Sequence, residues 1–198
     1  MAEITAAMVR QLRDSTGIGM MDCKKALQES DGDMEKAVDF LRKEGMSAVE
    51  KRAGRDANEG VISSYIHPGS RLGVLLEVNC ETDFVARTDE FQEFTRDVAM
   101  HIAAEQPTVV GREDVDPALI EKEKDIYLEQ AKNEGKPENI AEKIVQGRLE
   151  KYYQEVCLLE QAFVKDPDKT IDQMLTELTS KIGEKLSIRR FACFRLGE

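Results

Sequence analysis

The chain has 198 residues, of which 41% are hydrophobic and 34% charged, so it can bury a core and does not belong to the disordered class. Its net charge is −11, and residues 1–55 contain ten residues of each sign, so residues 56–198 carry the whole excess. An acidic chain with 6% aromatic residues and no tryptophan is a poor match for phosphates and bases, so we expect no nucleic-acid partner.

The first residues carry charges throughout and lack the apolar segment of a secretory signal. No apolar run approaches the roughly 20 residues that a membrane-spanning helix requires. We therefore expect a cytoplasmic protein without a membrane partner. Its histidines and cysteines lack the short paired spacings of zinc ligands, so no metal site and no cofactor are predicted. Reduced thiols in apolar surroundings are expected at Cys23, Cys80, Cys157 and Cys193.

The N-terminal part of the chain has the periodicity of three short helices. Paired glycines at positions 17 and 19 end the first helix, the second runs from about Met20 to Gln28, and Asp33 can cap the third. The residues predicted to face the core of this module are Ile4, Ala7, Met8, Leu12, Cys23, Ala26, Leu27, Met34, Ala37, Val38 and Leu41.

The segment 45–59 is charged and contains glycine, which is typical of a linker between domains. We expect it to extend the third helix before it becomes a linker. Two domains are therefore predicted, a three-helix module of residues 1–55 and a core of residues 56–198. The apolar pattern supports this division, because its period changes from 3.6 to 2 after the segment.

Three strands are predicted in the core. Val61–His67 and the alternating stretch Leu72–Cys80 flank Pro68-Gly69, a sequence typical of a tight turn, so the pair predicts an antiparallel hairpin. The segment Leu186–Leu196 alternates again and is expected to return to this sheet as its third strand.

Four further helices are predicted between the hairpin and the last strand. Thr88 can cap the first, Asp116-Pro117 opens the second, Gly135 and Pro137 turn the chain into the third, and a capping box at Thr170 opens the fourth. Their predicted inner residues are Phe91, Phe94, Val98, Ile102, Leu119, Ile120, Ile126, Tyr127, Ile140, Ile144, Val145, Leu149, Ile171, Met174, Leu175, Leu178 and Ile182. The expected fold class is α+β, with a small antiparallel sheet covered by helices.

Sequence motifs of catalysis are mostly absent. The chain has no GxxxxGK[ST] phosphate-binding loop, no GxGxxG, no HExxH and no GxSxG. Its many carboxylates fall on helix faces that are expected to be solvated. We therefore predict that the protein is not an enzyme.

Two segments are unusual. In LRDSTGIGMMDCKKAL (residues 12–27), a helix ends at glycines and two methionines open the next helix, which indicates either an exposed, adaptable apolar corner or two core methionines. In EVNCETDFVAR (residues 77–87), a strand ends and a helix soon begins, so Asp83 and Phe84 are expected on a loop between them. The alternative is that Phe84 packs against Phe91 or Phe94 as local core.

Both segments resemble the signature segments of the elongation factor Ts family, and the C-terminal RRFACFRLGE resembles that family's closing strand. The resemblance covers essentially the whole chain. It implies that the three N-terminal helices form a ubiquitin-associated-like module. The chain resembles the short family members, which lack a duplicated core and a coiled-coil insertion. The short form is expected to be a homodimer that binds two molecules of elongation factor Tu.

The resemblance also implies a mechanism. Elongation factor Tu holds GDP tightly with a Mg²⁺ ion, and the Ts factor inserts a short segment near that metal. Matched to this chain, the segment is Thr82, Asp83, Phe84 and Val85. The expected result is displacement of Mg²⁺ and release of GDP, so that GTP can bind. Met20, Met21 and Lys24 are expected to contact a second surface of elongation factor Tu.

Two other functions are compatible with parts of the sequence. The three-helix module alone could recognise ubiquitin-like partners, in which case residues 56–198 would act as a scaffold. An enzyme that uses surface carboxylates is the other alternative, although no arrangement of base and nucleophile is recognisable.

Overall fold

The structure is a computed structural model that describes residues 4–52 and 54–198. Its helices have boundaries close to the predicted ones, and a one-turn helix α4 was not predicted. Their bounds are α1 Ala6–Thr16, α2 Met20–Glu29, α3 Met34–Arg52, α4 Asp83–Ala86, α5 Asp89–Glu105, α6 Pro117–Asn133, α7 Glu138–Val156 and α8 Ile171–Ile182.

Two sheets are present in the described chain. The strands of the first are β1 Glu59–Ile66, β2 Leu72–Cys80 and β5 Ser187–Arg195, in the order β1-β2-β5. The second is a small antiparallel pair of β3 Ala162–Phe163 and β4 Asp166–Thr170, which the sequence analysis did not predict. The α+β fold class with a small antiparallel sheet is thus confirmed.

The N-terminal helices pack as predicted around small side chains. Cys23, Ala26 and Ala37 have no exposed surface, so the helices can approach one another closely. Ala7 was predicted to face the core but is exposed, and Val38 is 41% exposed, so both predictions were wrong. On α1, Val9 is buried and Ala7 is exposed, so the face that packs is turned away from the one that the pattern indicated.

The predicted hairpin is confirmed. The His67 N–H donates to the Leu72 carbonyl at 2.9 Å, and the Ser70 N–H donates to the His67 carbonyl at 2.9 Å, closing the turn. Alternate residues of β2 are buried as expected, whereas Leu75 on its opposite face is 47% exposed. The last strand, β5, pairs with β2 and therefore returns to the sheet as predicted.

The buried faces of the remaining helices were predicted in part. The α5 stripe of Phe91, Phe94, Val98 and Ile102 is buried, as expected. In α6 and α7, however, Leu119, Ile126 and Ile140 are exposed rather than internal, while the alanines Ala131 and Ala141 are buried. Ile120 and Leu149 are buried as predicted. An apolar period alone does not identify every residue that a neighbouring element covers.

The thiol prediction is confirmed for three of the four cysteines. Cys23, Cys80 and Cys157 are buried free thiols, and burial raises the pKa of each of them. Cys193 is exposed on β5, so the expected apolar surroundings are wrong for this residue. Among the helices of the described residues, none combines the length and apolar character that crossing a membrane requires.

The described chain forms two compact units. One, here called the tip unit, comprises the described parts of residues 1–61, 79–92 and 173–187, and the other comprises residues 62–78, 93–172 and 188–198. The predicted division at residue 55 remains a prediction. Residue 53 of the predicted linker and residues 1–3 of the predicted module lie outside the described residues.

Candidate functional site

The first candidate site is the segment Thr82–Val85, here called the tip. It is not the predicted loop, because Asp83–Ala86 form the single helical turn α4. Thr82 is the N-cap of this turn: its backbone is extended, and its Oγ1 accepts a hydrogen bond from the Val85 N–H at 3.4 Å. A threonine at this position supplies the acceptor that the first free N–H groups of a helix need.

Phe84 projects from this turn into solvent. Its relative exposure is 79%, whereas Phe91 and Phe94 are buried at 0% and 6%. The alternative interpretation of Phe84 as local core is therefore wrong. Residues two positions apart on a helix point to nearly opposite sides. Because Ala86 faces the interior, Phe84 faces outward.

Asp83 lies beside Phe84 and forms an ion pair within the turn. Its Oδ2 is 2.8 Å from Nη2 of Arg87, and the Asp83 side chain is about half exposed. Exposed pairs of this kind contribute little to stability, about 0–1 kcal/mol. The Asp83 carboxylate can therefore leave Arg87 and bind groups of another molecule at little energetic cost.

The carbonyl groups at the C-terminal end of the turn are also bonded. The Thr88 hydroxyl donates to the Val85 carbonyl at 2.8 Å, and Gln92 Nε2 donates to the Ala86 carbonyl at 2.6 Å. Beneath the turn, the buried Cys80 Sγ donates to the Thr82 carbonyl at 3.1 Å. Because these backbone groups have hydrogen-bond partners, the backbone of the tip holds Phe84 in a defined position.

The second candidate site is the outer surface of α2 formed by Met20, Met21 and Lys24, here called the α2 patch. Met20 is 42% exposed, Met21 is 76% exposed, and Lys24 is exposed. The interpretation of the two methionines as core residues is therefore wrong. Three other residues of α2 are buried, and they are Cys23, Ala26 and Leu27.

The turn before α2 presents these methionines. Gly17 has a φ of 69°, a conformation that glycine adopts without strain, and its N–H bonds the Arg13 carbonyl to end α1. Gly19 then occupies the N-cap of α2, so Met20 and Met21 fall in the first helical turn. The neighbouring Lys25 pairs with Glu44 at 2.7 Å, whereas Lys24 lies on the patch.

Both candidate sites belong to the tip unit, and Lys181 of α8 lies beside residues that are close in sequence to each of them. Lys181 Nζ is 2.6 Å from Glu90 at the start of α5. The same side chain lies so close to Gly17 that a Cβ there would be 2.7 Å from Lys181 Cε. Lys181 and Glu90 were not predicted as site residues. Pairs distant in sequence leave no signal in a single chain.

The tip also rests on two glutamates that sequence reasoning missed. Glu184 accepts hydrogen bonds from Thr82, and Glu81 accepts one from the Lys185 N–H. This Lys185 bond and the nearby Arg55 hold the pKa of the Glu81 carboxyl below its ordinary value. In the described residues, no group of three or more His, Cys, Asp or Glu side chains is arranged to hold a metal ion.

Comparison with known proteins gives a consistent family. The family model described as elongation factor TS matches residues 43–198, which include the tip. The elongation factor Ts of Alkaliphilus oremlandii (strain OhILAs) is 61% identical over 196 residues, covering 99% of this chain and 90% of that protein.

Two further relatives have similar identity. The elongation factor Ts of Geobacter sulfurreducens is 61% identical over 195 residues, covering 98% of this chain and 90% of that protein. The elongation factor Ts of Desulforamulus reducens is 60% identical over 198 residues, covering 100% of this chain and 91% of that protein. The last match includes both the tip and the α2 patch.

Proposed function

The chain belongs to the elongation factor Ts family, and from this membership we propose that it is a guanine-nucleotide exchange factor of translation elongation. It binds elongation factor Tu in the GDP-bound form, displaces the Mg²⁺ ion and promotes release of GDP, so that GTP can bind. The observation that carries the proposal is Phe84, an aromatic side chain largely exposed on a fixed helical turn.

An exchange factor acts by binding and makes or breaks no covalent bond. It must bind the nucleotide-free partner more tightly than the nucleotide-bound partner, and this coupling is reciprocal: nucleotide weakens binding of the factor by the same amount. The factor therefore needs surface groups that fit only the nucleotide-free state. No catalytic residue is required of the protein itself.

Phe84 supplies the larger part of this differential binding. Burying a phenylalanine side chain contributes roughly 1.5–3 kcal/mol. Phe84 inserts between partner side chains that are separated only when the nucleotide site opens, so its burial favours the open state. Because Phe84 is 79% exposed in the free protein, most of its apolar area remains to be buried against the partner.

Asp83 supplies a charge close to the metal site of the partner. Elongation factor Tu holds its nucleotide through contacts that include a Mg²⁺ ion. The Asp83 carboxylate bonds partner groups beside that site once it leaves Arg87. Thr82 at the N-cap and Val85 within the turn complete the contact. These contacts shift the phosphate-binding segments of the partner and displace the ion.

The α2 patch provides a second contact with elongation factor Tu, on its nucleotide-binding domain. Methionine side chains are flexible and polarizable, so Met20 and Met21 can adapt to an apolar surface of a partner. Lys24 adds a positive charge at the edge of the contact. This contact contributes affinity in all nucleotide states, whereas the tip contributes to the exchange step.

The sheet supports the proposal of a homodimer that binds two elongation factor Tu molecules. Ile62, Leu75 and Ala192 line one shallow depression on the sheet, bordered by an ion pair of Glu77 with Arg190 at 2.7 Å. Ile62 is 72% exposed and Leu75 is 47% exposed, so two large apolar side chains lie together in the depression, as in a surface that binds a protein partner. A second copy of this chain is the proposed occupant.

Sedimentation at micromolar concentration tests the dimer. The wild-type protein is expected to sediment as a dimer, and Leu75→Arg as a monomer, because an arginine in the depression loses its hydration on association. Ile126→Arg, on the exposed face of α6, is the matched control and should remain dimeric. A monomeric wild-type protein would contradict the proposal.

The exchange function is tested by release of a fluorescent GDP analogue from elongation factor Tu. The wild-type protein should accelerate release strongly, and Phe84→Ala should lower the maximal rate about ten- to hundredfold. Leu119→Ala removes an apolar side chain that is 48% exposed, on α6, and serves as the control. Acceleration retained by Phe84→Ala would transfer the mechanism to the α2 patch, and no acceleration by the wild type would reject the function.

A further inference from the structure

Two adjacent pairs of residues, far apart in sequence, exchange hydrogen bonds beneath the tip. Glu184 accepts from the Thr82 N–H at 3.1 Å and from the Thr82 hydroxyl at 2.8 Å. In return, Glu81 Oε1 accepts from the Lys185 N–H at 2.6 Å. The two segments are separated by 102 residues in sequence, so these reciprocal hydrogen bonds form only in the folded chain.

The bonds to Glu184 orient the Thr82 hydroxyl. A hydroxyl has one proton and two lone pairs, and a carboxylate can only accept. The proton therefore points to Glu184, and a lone pair remains for the Val85 N–H, which donates to it at 3.4 Å. Both donors of Thr82 are bound by one carboxylate, which fixes the N-cap and with it the direction of α4.

The Glu81 carboxylate, next to Thr82 in sequence, is also held by several partners. Both Glu81 carboxylate oxygens are 3.3 Å from Arg55 Nη1. Lys185 Nζ donates to the Arg55 carbonyl at 2.8 Å. Gly183, with a φ of 84°, ends α8 immediately before Glu184 and Lys185. The two residues that make these hydrogen bonds therefore directly follow the end of the helix.

We propose that Glu184 is the residue that positions the tip for nucleotide exchange. Glu184 acts through Thr82 and does not itself contact elongation factor Tu. By holding the helical turn in place before binding, it removes the ordering cost that a mobile Phe84 would incur during insertion. The role rests on the exchange function proposed above.

The effect should appear in one kinetic parameter. Insertion of Phe84 accompanies the release of GDP, so loss of positioning lowers the maximal release rate. The α2 patch retains its contact, so the concentration of factor that gives half of the maximal rate changes little. A purely structural role would have the opposite signature, because partial unfolding lowers the active concentration and leaves the maximal rate intact.

The test is release of the fluorescent GDP analogue from elongation factor Tu, measured against factor concentration for three variants. Glu184→Ala is expected to lower the maximal rate about tenfold, the size of one lost charge-assisted hydrogen bond, with the half-saturating concentration within about twofold. Glu184→Gln, which keeps the shape and one acceptor, should fall between it and the wild type. Glu35→Ala, an exposed carboxylate of α3, is the control and should match the wild type.

A double-mutant cycle separates this inference from the exchange function. In the Phe84→Ala background, Glu184→Ala should lower the maximal rate by no more than about twofold, because the side chain that it positions is absent. A second full decrease would overturn the positioning role while leaving the function intact. A wild-type protein that fails to accelerate release would overturn both.

Amide hydrogen exchange of the free protein gives a readout that needs no partner. The Val85 amide should exchange about tenfold faster in Glu184→Gln than in the wild type, while the buried Ala26 amide in α2 is unchanged. Equal protection of Val85 in the two proteins would overturn the proposal. Equal loss at Val85 and Ala26 would also overturn it, because the change would then reflect global destabilisation.

Discussion

The tip and the α2 patch both expose large apolar side chains, but they are held in different ways. Phe84 stands on a single helical turn that charged and polar partners fix, among them Glu184 and Glu81. Met21 stands on a ten-residue helix whose inner face is packed by apolar side chains. The first arrangement depends on a few directional bonds, and the second on the burial of an apolar face.

This difference matches the two roles proposed for them. Directional bonds specify one orientation, so the tip is suited to inserting a side chain at a defined place. Apolar packing supports a helix while leaving its outer methionines free to change rotamer, so the α2 patch is suited to adaptable contact. Each role can be disturbed without the other, and the following substitutions exploit that separation.

Among the substitutions that test this comparison, the largest effect is expected from Thr82→Val, which keeps the side-chain shape and removes the hydroxyl. The maximal rate of GDP release should fall about tenfold, and the free energy of unfolding by about 1 kcal/mol, because the N-cap bond and the bond to Glu184 are lost. Stopped-flow release and urea unfolding measure the two quantities.

Thr5→Val is the matched control for this substitution. Thr5 caps α1 through the same kind of bond, accepting from the Met8 N–H at 3.3 Å. Thr5→Val loses the cap bond alone, so it should cost no more stability than Thr82→Val and leave the maximal release rate unchanged. If both variants lower the maximal rate equally, the tip has no special dependence on its cap.

A smaller effect is expected from Met21→Ala on the α2 patch. The concentration for half-maximal exchange should rise about threefold, since part of the methionine's apolar area is lost from the contact. The maximal rate should stay constant. A titration of elongation factor Tu·GDP with the variant checks both parameters. Met46→Ala, another exposed methionine in α3, is the control, and a lowered maximal rate for Met21→Ala would contradict the division of roles.

The smallest effect is expected on the free energy of unfolding at acidic pH, through the Glu81 carboxylate. The pKa of the Glu81 carboxyl is lowered in the folded protein by the Lys185 N–H and by Arg55, so its charged form stabilises the fold above the ordinary glutamate pKa of about 4.3. That contribution is lost as pH falls through the lowered pKa. The unfolding free energies of wild type and Glu81→Gln, measured in urea from pH 7 to pH 3, should therefore converge at the acidic end. A constant difference would show that the Glu81 charge does not support the tip.

Much of the local structure follows from short stretches of sequence. Asp33 caps α3 as expected, with Oδ1 accepting from the Glu35 and Lys36 N–H groups at 3.1 Å. Asp116 caps α6 and accepts from the Ala118 N–H at 2.9 Å. Caps and turns depend on residues within about four positions of each other, so one chain contains the information needed to predict them.

The exposure of the candidate site residues was not predictable in this way. Local spacing left open whether Phe84 packs on Phe91 and whether Met20 and Met21 are core residues. The structure leaves all three exposed because Ala86, Cys23 and Leu27 occupy the inward positions instead. Which apolar residue faces inward depends on the neighbour that covers it, and that neighbour is distant in sequence.

The sequence by itself therefore determined the longer helices, the caps at Asp33 and Asp116, the hairpin, the closing strand and the signature segments of the family. Only the tertiary structure decided that α4 is a helical turn, that Glu184 binds both donors of Thr82, and that Lys181 lies against Gly17. The physical reason is the separation in sequence between the residues that interact. Helix and strand signals come from neighbours along the chain, whereas the bonds that orient the tip join residues that meet only after folding.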